Sequence, residues 1–292
     1  MVSAPRDPGI DLRRLCVTVR QDIVTMIHNA GSGHPGGSLS AVEILVELFF
    51  RQLRLDPSKP GWPERDVFIL SKGHACPVLY SVMARRGYFP VRELGTLRKM
   101  GSRLQGHPDA AKLPGLEVSA GSLGHGLSIA CGFALGIRLL EARAPEGQPA
   151  GEGRRVFCLL GDGELQEGSV WEAAMTAAHG RVSNLVAVVD RNMVQLDGPT
   201  EQVMALEPLE SKWAAFGWHV VPVDGHDLDA LHGAFEECRS WSLSASGPSV
   251  VIARTVKGKG VSFMEGRSAW HGKCPDDESY GRAMSELESG ED

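Results

Sequence analysis

From residue 156 onward the chain alternates short, uninterrupted apolar runs with stretches of helical period. The runs lie at 156–160, 185–190, 219–223 and 249–255, and helices are expected at 167–179, 208–216 and 228–241. A strand that is apolar along its whole length must be covered on both faces, and strands joined through helices run parallel. The chain is therefore expected to be an α/β protein: a parallel β-sheet with helices on both faces. Upstream, Leu12, Leu15, Val19, Ile23 and Ile27 recur at spacings of three and four, predicting a helix over 11–29. It runs into a glycine-rich turn at 31–37, after which Ser38 or Ser40 would cap a second helix through Phe50, with Glu43 in its first turn. A strand is expected at 66–71, helices at 75–86 and 127–143, and an exposed loop at 144–154. Residues 1–10 read as a flexible N-terminus, 11–275 as one domain, and 276–292 as an acidic, partly helical C-terminal tail.

Several function classes fall away. The net charge is −6 with no sustained Lys/Arg stripe, which argues against nucleic acid as the main partner. The densest apolar run, 42–50, is interrupted by Glu43 and Glu47 and falls short of the roughly 18 residues of a membrane span. The first fifteen residues carry Arg6, Asp7, Asp11, Arg13 and Arg14 and no apolar stretch of a secretory signal. The six cysteines are scattered, with no Cys-x-x-Cys, and Cys131 and Cys158 sit in apolar stretches. Reduced thiols in a cytoplasmic protein are expected. No Gly-x-Gly-x-x-Gly follows the first strand, and no P-loop motif is present.

The 35 glycines gather in turns between apolar segments, where a backbone bends sharply or approaches a ligand. The most telling turn is Gly161-Asp162-Gly163-Glu164-Leu165-Gln166-Glu167-Gly168, at the carboxyl end of a strand, where parallel sheets bind ligands. Its amide groups and the start of the next helix suit a phosphate. Asp162 would repel that phosphate unless a cation lay between them, and Mg2+ or Ca2+ held by carboxylate, amide and carbonyl oxygens removes the conflict. Asn192, at the next strand end, lies one β-α-β crossover further on and supplies such an oxygen.

With these residues in view, the chain resembles the transketolase family of thiamine diphosphate enzymes. The resemblance rests on Ser32-Gly33-His34-Pro35-Gly36, Leu70-Ser71-Lys72-Gly73-His74, Gln105-Gly106-His107-Pro108-Asp109 and Ser119-Ala120-Gly121-Ser122-Leu123-Gly124. Gly161 to Gly168, Asn192 and Trp270-His271-Gly272 complete it, all in the family's order. It implies that Asp162, Asn192 and the carbonyl of Val194 hold a divalent ion bridging the diphosphate. His74, the amide of Gly163 and His271 would contact the diphosphate, and backbone groups of Gly121 and Leu123 the aminopyrimidine end. His34, His107 and His271 would line the channel to the thiazolium and hold substrate hydroxyls and carbonyl. Glu167 would pair with a catalytic glutamate of a partner domain. Ketol transfer needs groups that give and take protons near neutrality, which imidazole does.

His28, His179, His219, His226 and His232 lack surrounding motifs and read as structural or surface residues. His125 stands where many transketolases have Gln; both a site residue and a tolerated variant fit. Ser122 replaces the common Pro of its loop. Lys257 and Lys259 fit either added positive charge at the site or a solvated turn. Only the family's diphosphate-binding (PP) domain is matched, so the resemblance implies the N-terminal subunit of a split transketolase. Its partner would be a C-terminal subunit carrying the pyrimidine-binding domain, in an α2β2 assembly acting on sugars or sugar phosphates. Ketol transfer to a carrier thiol, or a non-catalytic regulatory role, are the alternatives; deoxyxylulose phosphate synthase and the 2-oxo acid dehydrogenase first component fit less well.

Overall fold

A computed structural model describes residues 9–143, 153–244 and 247–290. Five strands, β1 (Val67–Leu70), β2 (Val156–Gly161), β3 (Leu185–Arg191), β4 (His219–Asp224) and β5 (Ser249–Arg254), form one sheet in the order β1-β2-β3-β5-β4, every neighbour parallel. Alternate side chains leave the sheet on opposite faces. Phe68, Leu70, Phe157, Leu159, Val186, Val188 and Val251 enter a core with the helices α1 (Leu12–Ala30), α3 (Val42–Glu47), α4 (Cys76–Arg86) and α9 (Leu228–Leu243). Val67, Ile69, Val156, Cys158, Leu160, Ala187 and Val189 enter a second core with α5 (His125–Glu141), α6 (Gly168–His179) and α8 (Leu209–Ala215). Strands β1, β2, β3 and β5 thus have the double coverage that their sequence demands, whereas the edge strand β4 is only partly buried.

The register aligns the carboxyl ends of the strands. Gly161 pairs with Asp190, and Asp190 with Ala253, so the turns after β2, β3 and β5 emerge side by side, next to the turn after β1. The motifs around His74, Asp162 and Asn192 sit in these turns, that of His34 at the glycine-rich turn that follows α1, that of His271 beyond β5, and those of His107 and Gly121 in the long connection between α4 and α5.

Three local expectations are revised. The helix expected from Ser38 or Ser40 through Phe50 is broken into α2 (Pro35–Leu39), α3 and a π-helical turn (Leu48–Gln52). Neither serine N-caps a helix: Ser38 Oγ donates to the carbonyl of His34 (2.7 Å) and Ser40 Oγ to Asp190 Oδ2 (2.6 Å). Pro35 instead opens α2 at its first position, where its missing N–H costs nothing. Glu43 does lie in the first turn of α3, where it is buried and bonded to Arg20 (2.6 Å) and His226 (3.0 Å). The C-terminal segment carries α10 (Asp277–Ser289), N-capped by Asp276 and packed on α1 through buried Ala283 and Leu287. Most of the expected 144–154 loop lies outside the described residues. Among the described residues, no helix is long and apolar enough to cross a membrane, and all six cysteines are free thiols.

Candidate active site

One cavity of about 370 Å³ opens at the carboxyl ends of β1, β2, β3 and β5. His34, His74, His107, Gly121, Leu123, Asp162, Gly163, Glu167, Asn192, Val194 and His271 all line it, so every candidate residue reaches the same space. Glycine is sterically required around it. A Cβ on Gly126 would meet Ser71 Oγ at 2.2 Å, and one on Gly73 would meet the backbone of Gly121 at 2.9 Å. Gly121 itself has φ +152°, and Gly124, φ +82°, starts α5.

The oxygen donors are oriented from below. Asp162 Oδ2 accepts from the Met193 amide (2.6 Å) and Arg191 Nη1 (3.1 Å), while Oδ1, among the described residues, accepts only from the Gly163 amide (2.8 Å). Burial and the neighbouring Asp190 raise the Asp162 carboxyl above its usual range, against the pull of Arg191. Arg191 is further tied to Thr200 (2.8 Å), Glu201 (2.7 Å) and Glu207 (2.9 Å), fixing the loop after β3 and its short helix α7 (Thr200–Val203). Asn192 Nδ2 donates to Asp190, which turns its Oδ1 toward Val194. The set is one carboxylate, one amide and one main-chain carbonyl. It contains only hard oxygen donors, which suits Mg2+ or Ca2+ and not a thiolate- or imidazole-seeking metal. Among the described residues, no group of three or more His, Cys, Asp or Glu side chains is placed to hold a metal ion.

Four imidazoles cluster in the same cavity. His34 lies 5.3 Å from His74, 5.6 Å from His271 and 6.3 Å from His107, ring centre to ring centre. Burial, then Arg98, His107 and Lys257, push His34 down to about 4; burial, then Lys257, push His271 to about 3. His74 is held well below its ordinary value by burial and Lys72, and His107 is lowered by burial and Arg98. At neutral pH the cluster is therefore uncharged, each ring holding one N–H and one lone pair.

Sequence reasoning missed three residues here. Lys72, in a motif but given no role, is buried and donates to the carbonyl of Gly37 (2.7 Å) and to Asp190. Glu164 ties three turns together, accepting from Ser71 Oγ, the Gly124 amide (2.8 Å) and the Gly161 amide (3.0 Å). Its position within the Gly161–Gly168 turn was the available signal. Arg98 was flagged by nothing in the sequence. The open alternatives on the lysines resolve: Lys257 lines the cavity, with Nζ 3.0 Å from both the Val194 carbonyl and His271 Nδ1, and Lys259 does not. Burial and Lys72 lower the Lys257 ammonium to about 8. His125 is exposed and outside the cavity, its Nδ1 against the Leu123 carbonyl. His219 stacks on Trp241, His28 on Tyr280, and His226 and His232 meet Glu43 and Glu47, all away from the site.

Fold and cavity define a class: a parallel α/β domain that gathers oxygen donors and neutral imidazoles at its strand ends. Residues 12–286 match the family "Transketolase, thiamine diphosphate binding domain". The chain belongs to the transketolase family. It is 42% identical to the 6-deoxy-6-sulfo-D-fructose transketolase subunit of Clostridium sp. over 96% of its own length and 97% of the relative's. It is 41% identical to an apulose-4-phosphate transketolase subunit of Actinobacillus succinogenes, over 95% and 96%. Its structure resembles the Pichia stipitis transketolase complex with sedoheptulose 7-phosphate, with a TM-score of 0.88 at 31% identity. That match covers 95% of this chain and 40% of the yeast chain.

Proposed function

We propose that the chain is the N-terminal, diphosphate-binding subunit of a two-chain, thiamine diphosphate- and divalent-cation-dependent transketolase. It would move a two-carbon ketol unit between sugars that carry an anionic group, in a reducing, cytoplasmic setting. The observation that carries this reading is the meeting, in one cavity, of the donor set Asp162, Asn192 and Val194 with four neutral histidines. Near full-length identity to two proteins named as transketolase subunits supports the division into two chains.

Thiamine diphosphate, when bound, supplies the electron sink for breaking and making the bond beside the ketose carbonyl. The chain's own work is placement and proton handling. Asp162, Asn192 and the Val194 carbonyl would hold the cation against the diphosphate, with His74, the Gly163 amide and Lys257 on its oxygens. Gly121 and Leu123 would receive the aminopyrimidine end through main-chain groups. His34, His107 and His271, neutral at pH 7, would donate to carbonyl and hydroxyl oxygens and take protons back as alkoxides come and go. Glu167 is exposed at the start of α6, with no side-chain cap bond of its own, free to meet a residue of a partner chain. Glu167 and the exposed rim residues Leu123 and Leu196 are where a pyrimidine-binding subunit, in an α2β2 assembly, would close the site.

The test is to assay ketol transfer from phosphorylated ketoses with this chain alone, with its neighbouring-gene product alone, and with both. Activity only in the mixture, abolished by Asp162→Ala together with Mg2+-dependent cofactor binding, is expected. Full activity of the lone chain would refute the two-chain assignment. Cofactor binding that ignores Asp162→Ala would refute the metal site.

A further inference from the structure

Arg98 is built into place with unusual care for a residue outside every motif. It adopts φ +58°, a left-handed backbone that side-chain-bearing residues rarely take. Its amide donates to the Leu104 carbonyl (2.9 Å). Its guanidinium lies flat against Gly106, where an added Cβ would come within 2.9 Å of Cζ. No carboxylate forms a salt bridge with it among the described residues. Its side-chain contacts are instead Ser32 Oγ (3.5 Å) and His34 Nδ1 (3.4 Å). A guanidinium has five N–H donors and no lone pair, so a ring nitrogen facing it must accept. An imidazolium, or an Nδ1–H imidazole, would set N–H against N–H.

We propose that Arg98 is a positioning residue for His34: it donates to Nδ1 and thereby holds the ring as the neutral Nε2–H tautomer at the cavity wall. Nε2 has no protein hydrogen-bond partner among the described residues and lies beside Gly272, in the turn that carries His271. The ring nitrogen left to act on a substrate oxygen is thus a proton donor with a set direction. His271 is governed alike, its Nδ1 facing Lys257 Nζ at 3.0 Å. Both motif imidazoles are then donors at the outset, which is the state needed to receive the charge developing on a ketose carbonyl oxygen. That consequence rests on the transketolase reading above; the tautomer does not.

His34 is faced by Arg98 and His107 from the 98–107 segment, by His74 from the turn after β1, and by His271 and Lys257 from the C-terminal turns. All the fixed charges in this set are positive, so the ring resists protonation, in line with its lowered ionisation. The decisive measurement is ring-nitrogen NMR of the full chain labelled with 15N-histidine, with His34 assigned by its loss in His34→Gln. The native chain should show a neutral Nε2–H ring at pH 6. In Arg98→Met the ring should become a tautomer mixture and its ionisation midpoint should rise by about one pH unit. Arg98→Lys, which keeps a donor-only cation, should restore part of both. An Nδ1–H ring in the native chain overturns the proposal, as does an unchanged tautomer and midpoint in a folded Arg98→Met. If that variant does not fold, the native tautomer and the Lys variant decide. Failure of ketol transfer itself would leave these spectra untouched, so the two readings fail separately.

Discussion

Lys72, in the cavity floor, and Asp190 form an ion pair with side chains 2% and 0% exposed. Burial alone would raise the Asp190 carboxyl; Lys72, with hydrogen bonds from Ser40 and Thr255, outweighs it and keeps the group below its ordinary value. Removing one partner would strand the other charge out of water. Asp190→Asn is therefore expected to cost about 3–5 kcal/mol, as is Lys72→Met. The double variant should cost clearly less than the sum of the two, measured by urea unfolding. Additive losses would mean that the two charges are not coupled. Such charges explain the limit of sequence reading at this scale. Asp162, Asn192 and the four cavity histidines stand in glycine- or strand-end turns whose local pattern announces a ligand. Lys72, Arg98, Glu164 and Arg191 earn their roles from partners 29 to 118 positions away, and no local pattern encodes that.

The strands and most helices follow from periodicity because burial on both sheet faces leaves an unbroken apolar signature. Two elements do not. The 35–52 segment is apolar enough for one helix, yet Ser38 and Ser40 turn inward to bond His34 and Asp190, and the chain breaks around Ala41 to follow them. In α10 an acidic composition hides an apolar stripe, Tyr280, Ala283, Met284 and Leu287, that lies along α1. Glu286 anchors the same helix to Ser262 (2.6 Å to its amide). Leu287 is 5% exposed, so Leu287→Ala should destabilise the chain by about 2–4 kcal/mol through lost burial and a residual cavity. Leu139, at the exposed end of α5 with 61% exposure, is the control: Leu139→Ala should fall within about 0.5 kcal/mol in the isolated chain. Equal effects at the two sites would show that α10 is not part of the folded core.

At the scale of the whole molecule, the cavity is closed by buried groups on one side and open on the other. Buried Asp162, Lys72 and Lys257 close the floor, whereas Glu167, Leu123 and Leu196 stand exposed at the rim. A cofactor held there would present its unburied half to whatever covers the rim. Under the two-chain reading, cofactor and partner each complete the other's binding surface, and their affinities must be linked. Linkage is reciprocal: the factor by which the partner tightens the cofactor equals the factor by which the cofactor tightens the partner. Both factors can be measured by calorimetry in Mg2+, titrating cofactor with and without a saturating partner, then partner with and without saturating cofactor. A common factor of about ten or more is expected. Under the same reading, Glu167→Gln should shrink it while leaving cofactor binding to the lone chain nearly unchanged, because Glu167 stands exposed at the rim, where the partner would meet it. A partner that binds with the same affinity whether or not the cofactor is present would place the complete cofactor site within this chain, and the open rim would then need another explanation.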